Sequence, residues 1–165
     1  MADQPDQTAT PARQLVLQKI YIRDLSYESP KSPEIFRTNV TPQTQLNLRS
    51  SNRDLGSGNT EVSLTLTIEA KDKDATIFLI EIAQAGVFLI EGYSQQERAV
   101  LLGSFCPATL YPFAREAIAD IVTKGGFPTL LLQPINFDAL FAQASKSAAE
   151  QAVAAAVQPP PEERH

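Results

Sequence analysis

The sequence predicts an α+β fold in which four β-strands are followed by two α-helices. Runs with strand periodicity occupy the chain up to about residue 92, and helical periodicity is clear only after residue 106. The connection between the two helices is far more apolar than an ordinary surface loop, which is polar because burial leaves backbone groups unpaired. We therefore expect a sheet, two helices and an apolar loop that the chain's own core, another subunit or an apolar client must cover.

Chain length and composition favour one domain with polar ends. The chain has 165 residues, and its apolar fraction of 43% is enough for one modest core. We expect residues 1–13 to form a disordered N-terminal tail and residues 14–157 to form the α+β domain. Residues 158–165 carry three consecutive prolines, which end any helix, so we expect a second tail there.

Several function classes are disfavoured by what the chain contains. The formal net charge of −5 and the absence of a basic cluster argue against nucleic acid as a partner. The single Cys106 excludes an intrachain disulfide and a multi-cysteine zinc site, and we expect it to be a small buried residue rather than a reactive thiol. The single His165 stands at the last position, where catalytic geometry is hard to hold. With no signal-peptide core and no apolar run that could insert in a membrane, we expect a cytoplasmic protein.

The first two strands surround a proline-rich crossing. Residues 14–28 alternate as a strand does, and this spacing places Asp24 and Glu28 on one face. The segment SPKSP at 29–33 predicts an extended, non-helical crossing. Residues 44–50 predict the second strand, and SSNRDLGSGN at 50–59 predicts a turn-rich loop.

The third and fourth strands have different patterns. Apolar and polar residues alternate through 61–70, which is typical of a strand with one packed and one solvated face. In residues 75–92 both the odd and the even positions are mostly apolar, so this strand requires cover on both faces. Since the helices cover only one face, we expect an interface between subunits to cover the other.

Two helices close the chain. We expect the first to begin at Pro107 or Pro112, where proline is tolerated in a first turn, and to end at Lys124 before two glycines. Asn136 or Asp138 can cap the second helix, whose far half is rich in alanine and has little to bury.

Several segments together resemble the SecB family of tetrameric bacterial export chaperones. They follow the family order and cover most of residues 20–141, and the run from Cys106 to Phe141 is the most specific. The matching segments are IYIRDLSYESP (20–30), PEIF (33–36), FLIEIAQAGVF (78–88), CPATLYPFARE (106–116) and TKGGFPTLLLQPINFDALF (123–141).

The resemblance implies a holdase that keeps secretory preproteins unfolded in the cytosol and delivers them to the translocation motor SecA. It implies no enzymatic activity, no nucleotide requirement and no cofactor or metal of this chain's own. It further implies a four-stranded antiparallel sheet followed by two helices, with two protomers forming an eight-stranded sheet and two such dimers forming a homotetramer.

A holdase requires a broad apolar surface, because apolar contacts and backbone hydrogen bonds accept many sequences. We expect a client groove between the proline-rich crossing and the apolar interhelix loop. The alternative is that the same side chains fill the domain's own core. The candidate lining residues are Tyr27, Ile35, Phe36, Phe127, Leu130 and Leu132.

The resemblance also marks a docking site for the zinc-bearing C-terminal tail of SecA, where the zinc belongs to the partner. The site residues it marks are Asp24, Glu28, Leu79 and Glu81. Without the resemblance, these acidic residues would be taken as groups that keep an exposed sheet soluble. On the opposite face of the fourth strand, we expect Ile80, Ile82 and Gln84 to face the helices or the interface between dimers.

Two other functions remain open at this point. A small enzyme or ligand-binding α+β domain would need convergent polar groups, and the sequence offers no His–carboxylate pair, phosphate loop or metal-ligand cluster. A SecB-like chaperone serving a toxin–antitoxin pair is the nearer alternative. The evenly spaced acidic sites and the complete interhelix loop favour export.

Overall fold

The sheet and helices follow the predicted order. The computed structural model describes the backbone of residues 12–157 and the side chains of residues 12–152. The predicted C-terminal tail, and all but residues 12 and 13 of the N-terminal tail, lie outside the described residues. The strands are β1 (Gln14–Glu28), β2 (Gln43–Gly56), β3 (Asn59–Asp72) and β4 (Ala75–Glu91). The α-helices are α1 (Gln95–Val100), α2 (Cys106–Lys124) and α3 (Phe137–Val157), with a 3-10 turn at Glu34–Arg37 and a π turn at Leu101–Phe105.

The four strands form one antiparallel sheet in the order β1-β4-β3-β2. This confirms the predicted four-stranded antiparallel sheet and adds the strand order, which periodicity does not determine. The order places β4 and β3 in the centre and β1 and β2 at the two edges. The two central strands therefore carry most of the buried residues.

The alternation of side chains between the two faces of the sheet is interrupted twice along strand β1. Its pairing with β4 shifts between Leu17 and Lys19 and again between Ile22 and Asp24. Such bulges insert one extra residue and turn the following side chains to the other face. Ile22 and Asp24 therefore face opposite sides of the sheet, although simple alternation put them on one side. Asp24 and Glu28 both follow the second bulge, so they do share a face.

Strand β2 is longer than predicted. Residues 50–56 were expected to lie in a turn-rich loop, but they continue the strand and pair with β3 as far as Gly56 opposite Asn59. Polar residues are compatible with a strand here because β2 is an edge strand and its side chains are exposed. The reversal itself is confined to Gly56, Ser57 and Gly58, which all have positive φ.

The core lies between α2 and the inner face of the sheet, which is the face covered by the helices. Gly86 of β4 allows the closest approach, since a Cβ added there would lie 2.9 Å from Leu110 Cδ2 of α2. The fully buried core side chains of the central strands and α2 include Val62, Leu64, Leu66, Ile68, Ile80, Ile82, Leu110 and Ile118.

The outer face of β4 is buried by its neighbours rather than by a second layer of helices. Its residues Ala83 and Ala85 are small and buried. Ala85 is paired with Tyr21 of β1 on one side and with Ser63 of β3 on the other. A central position in the sheet thus explains much of the burial on this face. The apolar pattern of β4 does not by itself require another subunit.

The first helical run begins about twelve residues earlier than predicted. Ser94 caps it, accepting a hydrogen bond from the Glu97 N–H at 3.2 Å, while the Glu97 carboxylate accepts from the Ser94 N–H at 2.9 Å. This is a capping box, and the S-x-x-E spacing was present in the sequence. Neither proline starts the helix, because α1, the π turn and α2 form one continuous run in which Pro112 is internal.

The proline-rich crossing contains a short helical turn instead of being wholly extended. Glu34–Arg37 form a 3-10 turn, in which the Phe36 N–H donates to the Pro33 carbonyl at 3.2 Å. The prolines are compatible with this turn. Proline lacks a backbone N–H, but the N–H groups of the first residues of a helix have no partner within the helix.

Helix α3 is held against the π turn. The Asn136 side chain accepts from the Ala139 N–H at 3.0 Å, which confirms one of the two predicted caps. Asp138 instead accepts a hydrogen bond from Ser104, a buried residue of the π turn. A Cβ on Gly103 would overlap the Phe141 ring, so glycine is required for this close contact.

Candidate functional site

Aromatic side chains join the proline-rich crossing to the interhelix loop. The Phe127 ring centroid lies 5.2 Å from that of Phe36 and 5.1 Å from that of Phe78. The Tyr27 hydroxyl donates to the Gly125 carbonyl at 3.4 Å, and only glycine leaves room for that ring. We call Tyr27, Phe36, Phe78 and Phe127 the aromatic cluster. It brings together three predicted groove residues, because the Phe36 and Phe127 rings are in contact and Tyr27 contacts Gly125 at the start of the same loop.

The rest of the interhelix loop is partly sealed by the protomer itself. Leu132 is only 7% exposed and belongs to the core, so its predicted place in an open groove is wrong. Ile35 and Leu130 are half-buried against the core. Tyr111 fixes the loop from below, since its hydroxyl donates to the Gln133 carbonyl at 2.6 Å.

Two apolar side chains next to the sealed part remain open to solvent. Phe36 is 52% exposed and Leu131 is 64% exposed, the largest value among the exposed large apolar residues described. Leu131 lines a shallow depression of about 300 Å³ with Pro112, Arg115 and Ala119 of α2. Leu131 was not among the predicted groove residues, because successive positions in a loop do not indicate which side chain faces the solvent. The two flanking prolines gave no periodicity to separate it from Leu132.

The predicted docking residues converge on the outer face of the sheet, opposite the helices. Glu28 pairs directly with Leu79, and Asp24 pairs with Ala83 four residues further along β4, with Glu81 halfway between. Cross-strand partners lie on the same face, so Asp24, Glu28, Leu79 and Glu81 form one continuous patch. We call these four residues the acidic patch. Asp24, Glu28 and Glu81 are exposed and Leu79 is half-buried.

A fifth residue, Glu69 of β3, extends the acidic patch. It pairs with Leu79 on the side opposite Glu28, so the leucine lies between two carboxylates. The Thr76 hydroxyl donates to Glu69 at 2.7 Å, and this hydrogen bond, together with Lys71, lowers the pKa of the carboxyl. Alternation did place Glu69 on the solvated face, but its adjacency to Leu79 depends on the strand order.

The other end of the same face carries arginines around a buried carboxylate. Glu61 was expected on the solvated face, yet it is only 4% exposed. It accepts from the Tyr21 hydroxyl and pairs with Arg53 at 3.0 Å and Arg23 at 3.6 Å. The Tyr21 hydrogen bond, helped by the arginines and opposed by burial, lowers the pKa of Glu61. The group therefore stays ionised, which satisfies the requirement that a buried charge be paired.

Ile80, Ile82 and Gln84 lie beneath α2. Both isoleucines are fully buried, and the Gln84 side chain donates to the Tyr21 carbonyl at 2.9 Å. Of the two predicted positions, the structure shows the one facing the helices. Because they are sealed within one protomer, they are not available for direct contact with another subunit.

Apolar side chains that are available for contact with another subunit occur on edge strand β1 and on the side of the helical run that faces away from the sheet. Edge strands present unpaired backbone groups and are ready to pair with another chain. The exposed residues of the two regions are Val16, Leu17, Ile22 and Leu25 on β1, and Val100, Phe105 and Phe113 on the helical run.

The described residues show little that points to catalysis. Among them, no group of three or more His, Cys, Asp and Glu side chains is placed to hold a metal ion. Burial raises the pKa of the Cys106 thiol to about 12, so it is protonated and unreactive at neutral pH. Within residues 12–157, none of the helices has the length and apolar composition that a membrane span requires.

The sequence matches one protein family over most of its length. Residues 7–148 match the family described as SecB, preprotein translocase subunit SecB. This range takes in every predicted site residue. The match therefore covers the sheet, the proline-rich crossing, the interhelix loop and the start of α3.

Curated relatives agree with the family match. The chain is 48% identical over 147 residues to the protein-export protein SecB of Methylococcus capsulatus, covering 89% of this chain and 95% of the relative. It is 50% identical to the Hahella chejuensis protein of that name, covering 85% of this chain and 88% of the relative. For the Nitrosococcus oceani protein the identity is 52%, covering 79% and 80%.

A solved structure has the same fold. It is a Mycobacterium tuberculosis SecB-like chaperone in complex with a peptide from an antitoxin, with a TM-score of 0.63. The match covers 73% of this chain and 90% of that one, at 13% sequence identity. At this identity the likeness concerns the fold alone. It supports the arrangement of a four-stranded antiparallel sheet followed by two helices.

Proposed function

This chain belongs to the SecB family and is a protein-export chaperone, and we propose that it holds secretory preproteins unfolded in the cytoplasm and delivers them to the motor SecA. It is not an enzyme. The observation that carries the proposal is the match over residues 7–148 together with relatives near 50% identity that are protein-export proteins. Those relatives favour export over both alternatives, the toxin–antitoxin chaperone and the small-ligand-binding domain.

The client surface that we propose is the solvent-facing side of the aromatic cluster together with Leu131. Phe36 supports it because half of its surface is open while its ring is positioned by Phe127. Each apolar side chain covered by a client contributes roughly 1.5–3 kcal/mol, so a few such positions retain an unfolded chain without a strict sequence requirement. Several copies in one assembly would raise the effective concentration further.

Neighbouring leucines in the interhelix loop provide a matched test of the client surface. We expect Leu131→Ser to weaken binding of an unfolded preprotein by about tenfold with little change in stability, because this side chain is exposed. Leu132→Ser should instead lower the free energy of unfolding by about 2–4 kcal/mol, because it empties a core position. Client affinity and urea unfolding measured on both variants check this. Native client affinity in Leu131→Ser would remove that residue from the proposed surface.

The acidic patch is the surface that we propose for the SecA tail. Three exposed carboxylates around a half-buried leucine suit a small basic element that also carries an apolar side chain. Its position on the outer face separates it from the aromatic cluster, which contacts α2 and the interhelix loop on the inner face. A client and the motor could thus be bound at the same time.

Reversing one charge in the acidic patch tests docking directly. We expect Glu81→Lys to weaken binding of the SecA tail by about 1 kcal/mol or more while client affinity is unchanged. Glu150→Lys, in exposed α3, is the matched control because it makes the same charge change away from the sheet. Calorimetry with the zinc-loaded tail measures both. Equal affinities for the two variants would exclude Glu81 from the site.

We also propose that the chain assembles as a dimer of dimers. The exposed apolar residues of β1 and its edge position support pairing of two sheets into one of eight strands. The apolar side chains on the outer side of the helical run support association of two such dimers. In this arrangement Ile80, Ile82 and Gln84 affect assembly only through α2, whose packing they support.

A further inference from the structure

The outer face of the sheet is divided into two zones of opposite charge. At one end lie Glu28, Glu81 and Glu69, with Leu79 among them. Toward the other end lie four basic residues on the two edge strands, of which Arg23 and Arg53 hold the buried Glu61. The basic residues are Lys19 and Arg23 on β1 and Arg49 and Arg53 on β2.

The far ends of the two zones are well separated, although the zones adjoin on β1, where Arg23 directly precedes Asp24 of the acidic patch. Glu69 and Glu61 are separated by eight residues along β3, which corresponds to about 27 Å at the rise of an antiparallel strand. The Debye length at physiological ionic strength is about 8 Å, so charges at the two far ends hardly affect each other. Between the two far ends, β4 contributes only the small side chains of Ala83 and Ala85 to the outer face.

The basic zone contains a polar depression with two arginines in its lining. It has a volume of about 340 Å³ and is lined by Arg23, Arg53, Ser51, Asn52 and Ser63, with Glu61 at its base. Both arginine side chains remain largely open, at 54% and 71% exposure, although each pairs with Glu61. One carboxylate cannot use all the donors of two guanidinium groups, so donors remain for a second anion.

From this geometry we infer that the arginine depression binds a carboxylate side chain of the same docking peptide whose basic part occupies the acidic patch. The inference rests on the proposed docking function and adds a direction to it. An extended peptide of about eight residues spans the distance between the zones. Two anchors of opposite sign would allow only one orientation of the peptide along the strands. The net charge of −5 disfavours a nucleic acid as the anionic partner.

Paired synthetic peptides test the second anchor on the full chain. One peptide carries three lysines and a leucine at one end and two glutamates about eight residues further on. The other has glutamine in place of both glutamates. Calorimetry should show the glutamate peptide binding about five- to tenfold tighter to the wild-type chain, since charge-assisted contacts to arginine are the stronger kind. The Arg23→Gln/Arg53→Gln variant should lose this preference while its affinity for the glutamine peptide stays the same.

Two further variants keep the result interpretable. Arg53→Lys retains a charge next to Glu61 but not the planar fork, so it should keep the fold and reduce the preference by about half or more. Arg37→Gln, in the 3-10 turn, removes an exposed arginine elsewhere and should leave the preference unchanged.

Each outcome decides between the two proposals. Equal binding of both peptides to the wild-type chain, or a preference that survives in Arg23→Gln/Arg53→Gln, overturns the carboxylate subsite while docking at the acidic patch stands. Failure of both peptides to bind overturns docking and the subsite together. Displacement of the glutamate peptide by a short oligonucleotide, with no peptide preference, would assign the arginines to phosphate instead and also overturn the subsite.

Discussion

We expect Ile82→Lys to unfold the protomer instead of dividing an intact assembly into dimers. Ile82 of β4 is fully buried on the face of the sheet that α2 covers, and the described residues around it are apolar. An unpaired charge there costs several kcal/mol, which is a large share of the roughly 5–15 kcal/mol that stabilise a typical domain. Urea unfolding and sedimentation equilibrium measured together check this.

The neighbouring residue provides the control for that experiment. Glu81→Lys places the same side chain one position earlier on the same strand, but on the exposed outer face. It should leave the unfolding midpoint almost unchanged, since surface substitutions usually shift stability by less than about 0.5 kcal/mol. If Ile82→Lys kept a native midpoint and sedimented as a dimer, these buried residues would indeed act at an interface between dimers.

The second large effect is expected at Gly103 in the π turn. Gly103→Val should displace α3 and lower the free energy of unfolding by about 1–3 kcal/mol, because the added side chain overlaps the Phe141 ring. The shift would also weaken the hydrogen bond from Ser104 to Asp138, which joins the same two elements. Hydrogen exchange of the α3 amides and urea unfolding provide the measurements.

A compensating substitution separates this steric effect from helix propensity. In the variant Gly103→Val/Phe141→Ala the clash partner is gone, so part of the stability and the protection of α3 should return relative to Gly103→Val alone. Phe141→Ala by itself is the reference for the cycle. Additive losses of stability would show that the two residues do not interact, and that the requirement for glycine at this position has another cause.

Most of the fold could be predicted from periodicity, while the contacts between elements could not. The alternation of β3 and the double-sided apolar pattern of β4 identify two strands because side chains on neighbouring positions face opposite ways. The order β1-β4-β3-β2 depends on which strands pair, and local pattern carries no such information. Glu69 could therefore not be assigned to the acidic patch in advance.

The misplaced boundaries have local physical causes. The prolines at 107 and 112 suggested a helix start, whereas the capping box at Ser94 and Glu97 was the stronger signal. The polar composition of residues 50–56 suggested a loop, although an exposed edge strand tolerates it. In the interhelix loop, burial of Leu132 and exposure of Leu131 depend on packing against α2, which no repeat in the sequence encodes.

The second bulge in β1 makes the chain sensitive to length at that point. Tyr21 and Asp24 are three residues apart yet face the same side, because Arg23 is the extra residue. Deleting the Arg23 codon would close the bulge and leave Tyr21 and Asp24 on their present faces, with the loss of one ion pair to Glu61. Inserting a codon between Asp24 and Glu28 would instead turn Glu28 toward the core, since one residue of slip exchanges the faces. We expect the insertion to be far less tolerated than the deletion.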